Sequence, residues 1–120
     1  MVRLALFVLL AAVPSFGQLV KDDAAVLRLS PRAEKHVREG HFMGGRNTRG
    51  KSLFAADADL AELLKLAAKS KPRRERNGRL KRVTDAGRVI GTDGRTGKPE
   101  KTFVVISESD GAVVTMYPGR

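Results

Sequence analysis

The 120-residue sequence predicts an α+β fold in which N-terminal helices pack on a four-stranded antiparallel β-sheet. Three observations predict it. Apolar residues recur with a helical period before residue 70. From Leu80 onward, turn signals separate short runs rich in Val, Ile, Thr and Phe. The length leaves room for one small domain, which excludes a Rossmann pair or a barrel enzyme. Hydrophobic residues make up 42%, enough for a modest core. There is no cysteine, which excludes a disulfide framework, thiolate zinc sites and a cysteine nucleophile.

Residues 1–17 read as a secretory signal peptide. Arg3 supplies the positive start, residues 4–13 are unbroken apolar sequence, and Pro14, Ser15 and Gly17 complete a cleavage pattern before Gln18. A bilayer span needs about 20 apolar residues, so this run predicts export and no integral membrane span in the mature chain. The competing reading is a buried N-terminal helix. Residues 18–29 form a lead segment, and residues 30–120 a single domain.

Ser30 and Pro31 mark a helix start, because Ser caps well and Pro costs nothing at the first helical position. That helix should reach about Glu39 and stop at Gly40. A Gly-rich loop follows over 40–50. A second helix is expected over 57–69, where Leu60, Leu63, Leu64 and Ala67 make one apolar stripe. Pro72 ends it. The basic stretch 71–82 reads as a linker too short to separate two folded units. Four strands then form an antiparallel meander: one from Leu80, then 88–92, 102–107 and 112–117. The run from Phe103 to Ile106 is apolar on both faces, as suits a central strand.

Lys and Arg total 23 against 13 Asp and Glu, a formal net charge of +10. The excess gathers at Arg46, Arg49 and Lys51, then at Arg73, Arg74, Arg76, Arg79, Lys81 and Arg82. Such density attracts polyanions. Nucleic acid is the leading partner, an anionic membrane surface the competitor, and a merely solvated basic face the third reading. Aromatics are only 5%, so broad base stacking on aromatic platforms is poorly supported.

The two histidines, His36 and His41, lie five residues apart. On a continuous helix they would not share a face, but Gly40 frees His41 to turn back. Two imidazoles are the simplest apparatus for general acid–base chemistry near neutral pH. Both rings on a polar surface is the plain alternative. A metal site of Glu34, His36, Glu39 and His41 is the third option, although the spacing is not the i, i+4 pair of a helical zinc motif. Gly45, Gly50, Lys51 and Ser52 formally match a phosphate-loop pattern. No hydrophobic strand precedes them, which rejects an ATPase but leaves a weaker phosphate cradle. By a period of two, Val113, Thr115 and Tyr117 share one face of the last strand, where the two hydroxyls suit a phosphate. Strand propensity alone also explains a Thr and a Tyr there.

Together, Lys35-His36-Val37-x-x-Gly40-His41, Gly50-Lys51-Ser52-x-Phe54, Ile90-Gly91-Thr92-Asp93-x-x-Thr96-Gly97-x-Pro99 and Gly111-x-Val113-Val114-Thr115-x-Tyr117-Pro118-Gly119 form a recognisable series. It resembles the toxin domains of bacterial polymorphic and contact-dependent inhibition systems, in the group named for barnase, EndoU, colicin-type tRNases and RelE. The resemblance spans about residues 30–119. It implies a metal-independent endoribonuclease, without a small-molecule cofactor, that cuts RNA and in many relatives tRNA. It implies a site that gathers His36, His41, Lys51, Ser52, Thr115 and Tyr117 on the open sheet face. The histidines would share the base and acid roles in either order. Lys51 would stabilise transition-state charge, and Thr115 and Tyr117 would orient the phosphate. Independently of the resemblance, the basic excess offers Arg46, Arg49, Arg73, Arg74 and Arg76 to hold the substrate together with Ser52. A toxin further implies an acidic immunity protein as partner. The expected protein is a monomer, secreted or periplasmic. The competing class is a secreted basic module that binds nucleic acid or an anionic surface without cutting it.

Overall fold

A computed structural model describes residues 26–120. The expected signal peptide and most of the lead segment lie outside the described residues. The first helix, α1 (Pro31–Gly40), starts where the sequence places it: the Ser30 hydroxyl accepts the Ala33 N–H at 3.1 Å, with Pro31 directly after the cap. Its buried face carries Ala33, Val37 and Gly40. A short strand, β1 (Leu53–Phe54), precedes the second helix, α2 (Leu60–Ala68). That helix is shorter than the expected 57–69. The Asp59 carboxylate accepts the Ala61 and Glu62 N–H groups, and a capping residue must itself be non-helical. The stripe of Leu60, Leu63, Leu64 and Ala67 is buried as expected.

Six further strands follow: β2 (Arg73–Arg74), β3 (Leu80–Asp85), β4 (Gly91–Thr92), β5 (Pro99–Glu100), β6 (Thr102–Ser107) and β7 (Val113–Pro118). They make two antiparallel sheets with β1, a four-stranded one ordered β2-β3-β6-β7 and a three-stranded one ordered β1-β4-β5. The class is therefore α+β, but the large sheet is not the expected meander. Residues 88–92 leave it, and only Gly91–Thr92 form a strand, in the small sheet. Their place is taken by Arg73–Arg74 from the stretch that reads as a linker. A hairpin closes there, with Glu75 N–H on the Arg79 carbonyl at 2.7 Å and Gly78 at φ 88°. The left-handed turn suits Asn77-Gly78.

Both helices cover one face of the large sheet, α1 against β7 and α2 against β3. Val37, Leu60, Leu63, Leu64 and Ala67 share one core cluster with Phe103, Val105, Val113 and Met116. The central strand β6 is buried along nearly its whole length, as its two apolar faces require. Two sequence expectations change. Val113 does not share the face of Thr115 and Tyr117. Ser107 pairs Val113 while Ile106 pairs Thr115, so Val114 is an extra residue in a β-bulge. The bulge shifts the alternation by one and turns Val113 into the core. Arg82 does not add to the surface charge. It pairs Val105 on the core face of the sheet and is 1% exposed. Among the described residues, no helix is long and apolar enough to cross a membrane.

Candidate active site

The face of the large sheet opposite the core is organised by register. One row across it runs Arg73, Lys81, Ile106, Thr115, and the next runs Val83, Val104, Tyr117. Cross-strand partners point to the same side, so each row presents its side chains together. Thr115 and Tyr117 stand on the edge strand β7, and α1 brings the histidines to that edge. His36 Nε2 lies 3.1 Å from Thr115 Oγ1. The His41 ring stacks against the Tyr117 ring with centroids 5.6 Å apart. The two imidazoles face each other edge-on with centroids at 5.9 Å.

His41 reaches this position because the helix ends. It is the C-cap of α1 with φ −133°, outside the helical region, and its N–H still closes the last turn on the Val37 carbonyl. The break cancels the angular mismatch of a five-residue helical step. The chain around it is clamped by β1: Phe54 N–H donates to the His41 carbonyl at 2.7 Å, and Phe42 and Phe54 pack their rings in the core. The His41 Nδ1–H donates to the Ser52 carbonyl at 3.1 Å, which makes Nε2 the acceptor nitrogen of the neutral ring. Burial holds His41 below its ordinary value of 6.5, only partly opposed by the Ser52 carbonyl. The nearby charges of His36 and Lys51 act in the same direction as burial.

Lys51 lies beside the pair. Its Nζ is 3.4 Å from where a Cβ on Gly40 would stand. The 43–52 loop carrying it folds back on the end of α1. A Cβ on Gly45 would fall 2.4 Å from the Arg38 carbonyl oxygen, so the backbone approaches as only glycine allows. That is the physical meaning of the glycine in the phosphate-loop match, and Ser52 leads into strand β1 rather than into a helix. On its other side, a Cβ on Gly94 would fall 2.3 Å from the Lys51 carbonyl carbon. The Gly94 N–H donates to the Ser52 hydroxyl at 2.9 Å. The turn that presents Gly94 is closed by the Asp93 carboxylate, which accepts the Arg95 and Thr96 N–H groups. Those two bonds keep its carboxyl below the usual range.

Ser52 thus holds His41 through its carbonyl and the 93–97 turn through its hydroxyl; it is a positioning residue. Burial pushes the Tyr117 phenol above its usual 10.0, and the Glu75 carboxylate adds to this, so the hydroxyl stays a donor. Glu75 is the neighbour that sequence reasoning missed. It was hidden in the basic stretch, and alternation from Arg73 across the β2 hairpin was the signal that placed it on this face.

The arginines separate. Arg73 stands in the row that ends at Thr115, and its guanidinium meets Glu75 at 3.6 Å. Arg74 has the opposite phase and donates to the Gly78 carbonyl within the hairpin. Arg46 pairs with Glu39 at 3.1 Å, while Arg49 and Arg76 are exposed on loops. The carboxylates of the alternative metal reading are turned to arginines, Glu34 to Arg38 and Glu39 to Arg46. Among the described residues, no group of three or more His, Cys, Asp or Glu side chains gathers for a metal. His36 also lines an open groove with Arg32, Arg79 and Glu108. Another groove lies elsewhere, between the 26–29 segment and α2, and contains neither histidine. No protein-family model matches the chain, and no curated protein matches it significantly.

Proposed function

We propose that this chain is an exported endoribonuclease of the barnase–EndoU–colicin–RelE kind, acting as a toxin on RNA such as tRNA without a metal. The observation that carries the reading is the double pairing at the sheet edge: His36 on Thr115, His41 on Tyr117, and the two rings 5.9 Å apart. RNA brings its own nucleophile, the 2′-OH. A base must take its proton, an acid must protonate the departing 5′-oxygen, and cations must stabilise the crowded phosphate.

The surroundings of the two rings favour one division of the roles. His41 is the base: burial favours its neutral form, and its Nδ1–H is occupied by Ser52, so Nε2 accepts the proton. His36, exposed and beside the Thr115 hydroxyl, acts in its protonated form as the acid. Lys51 stabilises the negative charge on the phosphate oxygens, and the Tyr117 and Thr115 hydroxyls donate to them. Attack forms the 2′-O–P bond and breaks the P–O5′ bond. The products are a 2′,3′-cyclic phosphate and a 5′-hydroxyl.

The test is incubation of the purified mature chain with total tRNA and with single-stranded DNA, in EDTA, followed by gel and end-group analysis. The expected result is RNA cut to cyclic phosphate ends with DNA intact. A salt-sensitive gel shift without cleavage would overturn the nuclease. It would favour the module that binds nucleic acid without cutting, which the net charge of +10 also supports.

A further inference from the structure

The two rows across the open sheet face differ in chemistry, and each ends on one of the two histidines. The first holds Arg73, Lys81, Ile106 and Thr115, and continues to His36. The second holds Val83, Val104 and Tyr117, and continues to His41. Val83 is 41% exposed, an apolar side chain in solvent at the far end of its row. Neighbouring strands are spaced about 4.8 Å apart, so Lys81 sits about 10 Å and Arg73 about 14 Å from Thr115 along the row.

We propose that the RNA strand crosses the large sheet at right angles to its β-strands, with Lys81 and then Arg73 holding the phosphates next in line from the scissile one. The proposal rests on the nuclease reading and adds the path of the substrate. The sugar–phosphate backbone follows the cationic row, and the bases lie over Val83 and Tyr117 in the apolar one. Lys81 carries most of the argument. It is half-buried on the face, and among the described residues it forms no ion pair. The other cations of the face already have carboxylates: Arg79 has Glu108 at 3.4 Å and Arg73 has Glu75 at 3.6 Å. The Arg73 side chain is 73% exposed, so its pair is weak and a phosphate can displace Glu75. Arg74 points to the opposite side and takes no part.

The experiment compares Lys81→Gln and Lys81→Arg with Arg95→Gln, which removes the same charge from an exposed turn outside the row. Cleavage is measured on a dinucleotide, which reaches only the histidine end, and on an oligonucleotide long enough to cross the sheet. Binding of a 2′-O-methyl oligonucleotide is measured against salt, and thermal melts confirm folding. Lys81→Gln is expected to lose about tenfold more kcat/KM on the long substrate than on the dinucleotide. The salt slope should become shallower by about 0.7, the share of one phosphate contact on a single strand. Lys81→Arg restores both, and Arg95→Gln changes neither. Equal losses on the two substrates, or equal salt slopes for Lys81→Gln and Arg95→Gln, would overturn the path. Failure of the unmodified protein to cut either substrate would overturn the nuclease reading instead, and the salt slopes would still decide the path.

Discussion

The large sheet and the small sheet are built by different means. In the large one, β3, β6 and β7 are each six residues long, and side chains from β6 and β7 fill the core. In the small one, every strand is two residues long, and only Phe54 and the adjoining Ile90 reach the core. The small sheet is held mainly by backbone hydrogen bonds and by close approaches at glycines. The candidate site groups divide in the same way. Thr115 and Tyr117 ride on the long-stranded sheet, while His41 and Lys51 are placed by the backbone network around Ser52 and Gly94. The sheet-borne groups and the loop-borne groups therefore answer to different parts of the sequence, and substitutions can separate them.

The largest expected effect comes from the groups that both regions deliver. His36→Ala or His41→Ala should lower kcat by roughly 100- to 10,000-fold while the thermal melt stays near that of the parent. Next, Phe103→Ala removes a fully buried ring from β6 and should cost about 3–5 kcal/mol in denaturant unfolding. Activity per folded molecule should survive, because Phe103 lies on the core face. Gly94→Ala should show the reverse. Its Cβ would meet Lys51 backbone at 2.3 Å, and relieving that contact moves Lys51 and Ser52. We expect a stability loss of about 1–3 kcal/mol with a much larger loss of kcat. If Gly94→Ala and Phe103→Ala showed the same ratio of lost activity to lost stability, the division between sheets would be wrong.

The pH dependence sharpens the same contrast. In the proposed mechanism the base His41 must be neutral, and it is held below 6.5, so the acid limb of kcat/KM should fall below pH 6.5. Between the folded value and 6.5 the unfolded chain binds more protons at this position, so His41 makes stability rise with pH through that window. Tyr117 acts at the other end. Its phenol is raised above 10.0 by burial, so the unfolded chain ionises first and stability falls as pH rises through 10.0. His41→Gln should remove the first slope and Tyr117→Phe the second, each read by unfolding across pH. The smallest expected effect is that of Ser52→Ala. The His41 bond uses the Ser52 carbonyl and persists; only the hydroxyl bond to Gly94 is lost, worth about 1 kcal/mol.

The large sheet was more legible in the sequence than the small one for the same physical reason. Long elements carry a pattern. Ser30-Pro31, the leucine stripe of α2 and the apolar run of β6 each announce themselves, because periodicity needs several residues to register. Two-residue strands have no period, so β1 and β5 carry no strand signal, β4 reads only as the end of a longer strand over 88–92, and β2 reads as part of a basic linker. The two faces of β3 were ambiguous as well. Leu80, Arg82 and Thr84 look no more apolar than Lys81, Val83 and Asp85, yet the former face the core and leave Val83 outside. A single extra residue at Val114 was enough to reverse the side on which Val113 falls. The closeness of His36, His41, Thr115 and Tyr117 was expected from the motifs, with Gly40 as the one local reason. Gly91 is a named position of the 90–99 motif and Gly94 falls at one of its open positions, but the use of both is tertiary. It depends on which backbone comes near.

The double pairing also works as a length gauge. Thr115 and Tyr117 are two residues apart on a strand, about 6.6 Å of rise. His36 and His41 are five residues apart along a helix and its cap, about 7.5 Å. The two intervals nearly coincide, which is why an otherwise awkward spacing of five fits a spacing of two. Adding or removing one residue between the histidines would shift the second ring by about 1.5 Å and turn it by about a quarter of a circle. The spacing from His36 to His41 is thereby tied to the pleat of β7, and the segment between them tolerates substitution more readily than a change of length.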